Sequence, residues 1–341
     1  MAETDSRRML SVSGSPDVTY DEAPPEAVEH QLETHRRELT GYCYRMLGSG
    51  FEAEDAVQET MVRAWRGIDR FEGRSAIRSW LYRIATNVCL DMLRGPQRRA
   101  RPMDMGPSST ADSFLAPGLA EHMWIQPVPD AWVVPEAGDP AELAASRETI
   151  RLAFVAALQL LPPRQRAVLI LREVLRWHAT EVAELLDTSV ASVNSSLQRA
   201  RSTLAANDLD ASQPTRVDSD DEKLLARYVD AFERYDVDSL VSLLHEDVIQ
   251  SMPPYPLWLQ GPLDVGRWLL GQGAGCRDAR LVATSANGCA AFGSYRVAGP
   301  DVYEPFAIVV VEVTEGQISG LHNFLYPELF SAFGLPSRLE S

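Results

Sequence analysis

The stretch Ser189-Val190-Ala191-Ser192-Val193-Asn194-Ser195-Ser196-Leu197-Gln198-Arg199-Ala200-Arg201 decides how the middle of this chain folds. Ser189 is a natural helix N-cap, and Val190, Val193 and Leu197 repeat at helical spacing. Ser192, Asn194, Ser195, Ser196, Gln198, Arg199 and Arg201 are left pointing outward. A short helix, Glu181–Leu186, and a turn at Asp187-Thr188 precede it. Two helices joined by so short a turn make a helix-turn-helix, whose second helix can reach base edges and phosphates in a major groove. A plain helical bundle with one polar face shares the pattern. Upstream, Leu152, Val155, Ala156, Leu158 and Leu161 lead into Pro162-Pro163, and a helix with Val168, Leu171 and Val174 follows.

The surrounding chain has 341 residues and a formal net charge of −16. That length suggests two or three domains, and 45% hydrophobic residues are enough for sizeable cores. The acidic total argues against nucleic acid only if the charge is spread evenly. It is not: residues 36–101 sum to +5 and residues 151–204 to +3, while the remaining segments are all acidic. Cys43, Cys89, Cys276 and Cys289 show no CxxC spacing, so neither a metal site nor a disulfide framework is expected, and a reducing cytoplasm suits them. No apolar run is long enough for a membrane span, and the acidic N-terminus has no export-signal pattern.

In the first basic island, Val57, Met61, Ala64 and Trp65 mark an apolar helix face, with Glu52, Asp55, Glu59 and Arg63 opposite. A second helix carries Ile77, Trp80, Leu81, Ile84, Ala85 and Val88 against a stripe of Ser79, Arg83, Thr86, Asn87 and Arg94. The Gly-containing turn Phe71–Ser75 joins them. Arginines interleaved with Trp80 and Tyr82 suit a single strand: guanidinium groups hold phosphates, and aromatic residues receive unstacked bases. Core packing and a solvated face would give the same spacing.

Together the two islands resemble regions 2 and 4 of sigma-70 family RNA polymerase sigma factors, in the extracytoplasmic-function (ECF) group. The resemblance rests on Asp55–Thr60, Ser79–Asn87, Leu161–Arg166 and Ser192–Arg201, in that order. It implies that Asp55, Gln58 and Glu59 bind the β′ clamp of core RNA polymerase, with further contact to the β flap. It implies that Phe71, Arg74, Arg78, Trp80, Tyr82, Arg83, Asn87 and Arg94 read the −10 element. It implies that Ser192, Asn194, Ser195, Ser196, Gln198, Arg199 and Arg201 read the −35 element of promoter DNA. Departures from the pattern are His178 for a usual Ser, Asp187 for the usual Gly, and Asn194 and Ser196 where cations are common. The linker is long, and its Trp124–Trp132 stretch is similar to that of the SigG-like subgroup; such an apolar stretch is expected to dock on something.

The C-terminal third reads as helices from Leu224 to Leu244, a strand at 248–252, a helix at 261–270, then strands at 279–285, 288–297, 305–314 and 317–325. Turns fall at Asn287-Gly288 and Glu315-Gly316. With His245-Glu246-Asp247-Val248 and Gly320–Phe324, it resembles the SnoaL-like branch of the nuclear transport factor 2-like superfamily, a cone-shaped α+β fold. The expected organisation is a disordered leader (1–30), region 2 (31–101), an acidic Pro-rich linker (102–147), region 4 (148–205), a second linker (206–221) and the SnoaL-like domain (222–341). Two all-α domains thus precede an α+β domain. Tyr228, Met252, Tyr255, Trp258, Trp268 and His322 are candidates for a ligand pocket, although core packing explains them as well. No catalytic residue, metal or cofactor is expected. The C-terminal domain is expected to regulate the sigma domains by contact, with the acidic segments screening the basic islands until polymerase binds. Two alternatives are a free-standing helix-turn-helix regulator with a ligand-sensing domain and a sigma factor carrying an enzymatic module.

Overall fold

A computed structural model describes residues 32–68, 71, 76–95, 98–206 and 219–340. The leader, Arg74 with most of its turn, and residues 207–218 of the second linker lie outside the described residues.

Three helices form an N-terminal bundle: α1 (Arg36–Leu47), α2 (Gly50–Gly67) and α3 (Ile77–Met92). Helix α1 ends at Gly48, whose φ of 74° needs no side chain, and Ser49 at once caps α2 by accepting from the Glu52 amide. Val57, Met61 and Ala64 point inward as expected, but Trp65 is 61% exposed. It follows Val57 by eight residues, so it sits about 80° round the helix, outside the buried stripe. The buried stripe of α3 is also turned from the expected one: it holds Leu81, Tyr82, Ala85, Thr86, Val88 and Cys89.

The linker folds. Residues 98–129 are mostly irregular chain with short 3-10 turns at 102–104 and 121–123, passing from the bundle over the C-terminal domain and back; α4 is Asp130–Val133, and α5 is Pro140–Glu148. Helix α5 lies in a stretch the sequence reading treats as linker. Asp139 accepts from the Ala141 and Glu142 amides, and Pro140 sits in the first turn, where its missing N–H costs nothing. The middle domain follows as α6 (Leu152–Gln159), α7 (Pro163–Leu169) with a π turn at 170–174, α8 (Ala179–Leu185) and α9 (Val190–Ala205).

Helices α10 (Ser219–Glu233), α11 (Val237–Ser242) and α12 (Pro262–Leu270) pack on a seven-stranded sheet. Its strands are β1 (Leu244–Ser251), β2 (Trp258–Gln260), β3 (Arg280–Ala286), β4 (Cys289–Gly299), β5 (Val302–Thr314), β6 (Gln317–Phe324) and β7 (Leu339–Glu340). The order is β2-β1-β6-β5-β4-β3, with β7 on β5; β1 and β6 are parallel and the other pairs antiparallel. Strand alternation gives the sheet two uses. Phe292, Val309, Val311 and Leu321 close a core against Tyr228, Phe232, Leu240, Val265 and Trp268 of the helices. Ala291, Tyr295, Ile308, Val310 and Phe324 belong instead to a core continuous with Trp124, Ile125 and Val128 of the linker and with both helical domains.

Candidate nucleic-acid interface

Helix α9 presents the expected face. Ser189 Oγ accepts from the Ser192 amide, while Val193, Leu197 and Ala200 are buried. Ser192, Asn194, Ser195, Gln198, Arg199 and Arg201 are exposed and Ser196 is half-buried. Arg199 donates to Ser195 Oγ at 2.9 Å and Ser196 Oγ at 3.2 Å, and Arg201 pairs with Glu173 at 2.5 Å. Asp187 adopts φ 50°, the left-handed conformation that its short polar side chain tolerates. At His178 the missing Ser cap is offset by Glu181, whose carboxylate accepts from the His178 amide at 2.6 Å. Among the described residues, no acidic segment covers the outward face of α9.

The expected −10 residues divide between two faces of α3. Phe71 and Trp80 stack with centroids 5.0 Å apart, and Trp80, Ile84 and Asn87 line a shallow surface hollow with Gly67 and Arg63. Arg63 belongs to this group although its i,i+4 pairing with Glu59 at 2.6 Å makes it look like an ordinary helix ion pair in sequence. Arg94 is exposed at the end of the helix, paired with Asp91 at 2.7 Å. Tyr82 requires correction: it is fully buried, edge-on to Tyr42 at 5.2 Å and against Trp177 of the middle domain at 5.0 Å. Burial also pushes its hydroxyl pKa well up. It therefore moves from the reading face to the core.

Arg78 and Arg83 are engaged elsewhere. Arg78 pairs with Glu38 at 2.9 Å and lies over the Tyr82 and Trp177 rings. Arg83 donates to the Glu184 carbonyl, at the end of α8, at 3.0 Å. Arg166 completes the contact, donating to the Met46 carbonyl of α1 and, at 2.6 Å, to Gln159. Burial lowers Arg166 to about 10, which leaves it charged at neutral pH. The N-terminal bundle and the middle domain are thus closed onto each other.

On α2, Asp55, Gln58 and Glu59 are exposed. Val62 and Trp65, at 41% and 61% exposure, continue the same face with apolar surface, so Trp65, expected on the packed face, lies beside the acidic residues instead.

The closed arrangement is held by the linker and by one turn of the C-terminal sheet. Arg99 donates to the Trp124 carbonyl at 2.7 Å and to Glu52 at 2.5 Å, and Trp124 is completely buried. Tyr44 donates to the Gln126 carbonyl at 2.9 Å. Asn287 and Gly288, both with positive φ, form the β3–β4 hairpin turn. The turn is buried rather than solvated. Asn287 Nδ2 donates to Tyr44 Oη at 2.6 Å and to the Ile150 carbonyl at 2.7 Å. Its Oδ1 accepts from the Val128 amide at 3.0 Å, and its own amide donates to the Val128 carbonyl at 3.1 Å. Gly288 N donates to Asp130 at 2.8 Å. One side chain therefore ties the N-terminal bundle, the linker and the entry to the middle domain.

Inside the cone a cavity of about 280 Å³ is lined by Tyr228, Met252, Tyr255 and Trp268, as expected. Trp258 and His322 require correction, since neither lines it. The Trp258 indole donates to the Gly106 carbonyl at 2.9 Å. His322 projects from the other face of β6, because Leu321 and Asn323 take the cavity side. There it meets Ser251 Oγ at 2.9 Å and Glu312 at 3.4 Å. Burial raises the pKa of Glu312, but the facing imidazole, with Arg101 and Arg151 beyond it, outweighs burial and leaves it near 2. Among the described residues the cavity lining holds neither carboxylate nor imidazole; its titratable groups are Tyr228, Tyr255, Cys276 and Arg296.

A helical bundle, a helix-turn-helix and a cone-shaped α+β domain define a multidomain DNA-binding protein. Residues 32–99 match Sigma-70 region 2, and residues 151–204 match Sigma-70, region 4. The ECF RNA polymerase sigma factor SigG of Mycobacterium tuberculosis is 45% identical over 315 residues, covering 90% of this chain and 83% of that protein. SigJ of the same organism is 28% identical over 326 residues, covering 90% and 95%. The crystal structure of M. tuberculosis SigJ superposes with a TM-score of 0.58 at 24% identity, covering 90% of this chain and all of that one. The chain belongs to the ECF group of sigma-70 family RNA polymerase sigma factors, which bind core polymerase and promoter DNA and direct promoter-specific initiation. Among the described residues no helix is long and apolar enough to cross a membrane.

Proposed function

We propose that the closed fold is a regulated resting state, kept by the protein's own C-terminal domain and opened when core polymerase binds. The −10 and −35 elements lie on the order of 80 Å apart at about 3.4 Å per base pair. Arg83 and Glu184, on the two reading domains, are in hydrogen-bond contact. Both elements can be read at once only after these domains separate. The observation that carries the reading is Asn287, whose amide holds Tyr44, Val128 and Ile150 together.

In the open state, α9 reads the −35 element through Ser192, Asn194, Ser195, Ser196, Gln198, Arg199 and Arg201. Phe71, Trp80 and Asn87, with Arg63, receive unstacked −10 bases, and Arg78, Arg83 and Arg94 are freed for the strand's phosphates. Asp55, Gln58 and Glu59, extended by Val62 and Trp65, contact the β′ clamp, and the middle domain contacts the β flap. The protein works in the cytoplasm, where the polymerase is, and its cone acts without catalysis.

The test is run-off transcription with core polymerase, comparing wild type with the full-length Asn287→Ala variant. Releasing the turn should raise initiation at limiting polymerase. Unchanged initiation from a correctly folded variant would remove the C-terminal domain from the resting lock.

A further inference from the structure

The linker between the two reading domains also forms part of the cone. Residues 106–119 cross its mouth as a strap fastened at both ends. The Trp258 indole donates to Gly106, and the Ser109 amide to the Trp258 carbonyl at 2.8 Å. The Ala111 amide donates to Asp264 at 3.2 Å, and Gln272 Nε2 to the Ser113 carbonyl at 2.9 Å. Arg267 pairs with Asp112 at 2.5 Å, and the Leu119 amide reaches the Pro254 carbonyl at 2.8 Å. Between these fastenings Leu115 turns inward and becomes part of the cavity wall.

Arg296 is the one charged residue in the described lining. Its guanidinium lies over the Phe306 ring at 3.2 Å, and Nη2 is 3.4 Å from Cys276 Sγ. Its Nε is buried without a hydrogen-bond partner, and no carboxylate is among the described cavity-lining residues. In a strongly acidic domain, a guanidinium held in an apolar wall by a thiol and a ring, with no carboxylate in the lining, carries a desolvation cost that an incoming anion would relieve. The remaining lining is mainly apolar, with Gln250, Ser294 and Asn323 adding a few polar groups. An apolar cavity of this size with few convergent polar groups is the usual form of a small-molecule site.

We propose that the cone cavity binds a small, mostly apolar monocarboxylate, its charged end on Arg296 and its body against Trp268, Phe232 and Leu115, with the 106–119 strap closing over it as a lid. The site and its lid stand independently of how the C-terminal domain affects initiation.

The experiment uses the full-length protein and four probes: octanoate, 2-naphthoate and their neutral amides, octanamide and 2-naphthamide. Calorimetry should show at least one carboxylate binding about tenfold or more tighter than its amide, the ratio a charge-assisted hydrogen bond supplies. Arg296→Met should abolish that preference without weakening the amide, and Arg296→Lys should restore part of it. Amide hydrogen exchange across residues 106–119 should slow when the preferred carboxylate binds wild type. The site is overturned if neither carboxylate binds, if acid and amide bind alike, or if the preference survives in Arg296→Met. Unchanged exchange in the strap on carboxylate binding overturns the lid.

Discussion

Helices α9 and α3 stand in opposite situations. The outward residues of α9 are exposed apart from half-buried Ser196, and among the described residues its arginines contact Ser195, Ser196 and Glu173. Helix α3 has one flank open, at Trp80 and Asn87, and the other engaged, with Arg78 on Glu38 and Arg83 on Glu184. On the proposed assignment, closure leaves −35 reading by α9 available and restrains −10 reading by α3 together with the separation of the domains. Regulation by the lock should act on open-complex formation much more than on contact with duplex DNA.

The strongest way to break that contrast is to spring the lock. Gly288 and Gly316 both occupy left-handed hairpin positions, with φ of 72° and 74°. A Cβ at Gly288 would meet Arg147 Cβ and its carbonyl oxygen at 2.8 Å, whereas at Gly316 it meets nothing within 4 Å. Gly316→Ala should cost about 1 kcal/mol of backbone strain alone. Gly288→Ala should cost about 3 kcal/mol or more, because overpacking is added and the docked turn must move. Thermal melts give the stability difference, and protease sensitivity of residues 121–134 reports undocking. Equal costs for the two variants would show that the Asn287-Gly288 turn holds nothing.

Trp80→Ala tests the open flank. A base stacked on an aromatic ring is worth about 1–3 kcal/mol, so open-complex formation should fall by roughly thirtyfold. Duplex −35 binding should stay within twofold. Tyr82→Phe should leave promoter melting nearly intact, because the Tyr82 ring serves the core rather than a base. A larger loss for Tyr82→Phe than for Trp80→Ala would reverse the assignment of faces.

Arg199→Ala sharpens the claim that α9 is already available. It should weaken −35 duplex binding about fivefold and lower the salt slope by about one. The loss should be the same in wild type and in the Asn287→Ala background, since independent sites add. A loss that grows when the lock is released would mean closure hides α9 after all.

The contrast also explains what could be read from sequence. For α9, the Ser189 cap and the Val193–Leu197 spacing determine which side chains face out, because only one side packs on its own small domain. For α3, the apolar residues wrap more than half the helix, so periodicity alone cannot tell Tyr82 from Trp80. The burial of Tyr82 depends on Trp177, nearly a hundred positions away, and no local pattern carries that. The Asn287-Gly288 turn is visible as a hairpin signal, but not as a buried one. Trp124–Val133 is visibly too apolar for a free linker, yet its partners lie in three separate segments. Likewise, strand alternation separates His322 from the cavity once the register of β6 is known.

The smallest expected effect concerns the sheet face that joins the cone to the shared core. Glu312 is held near 2, below its ordinary value of 4.5, by His322 and by Arg101 and Arg151, although burial opposes this. A carboxylate depressed on folding adds stability that is fully present above its unfolded pKa and is lost as pH falls through the folded one. The contribution is therefore intact at neutral pH and disappears between about 4.5 and 2. Glu312→Gln should lower the melting temperature modestly at pH 7 and flatten the acid limb of the melting curve in that window. Ser251→Ala removes the other contact of His322 and should leave the acid limb in place. If Glu312→Gln melts in parallel with wild type from pH 5 down to pH 2, the Glu312–His322 pair contributes nothing to holding this face of the sheet.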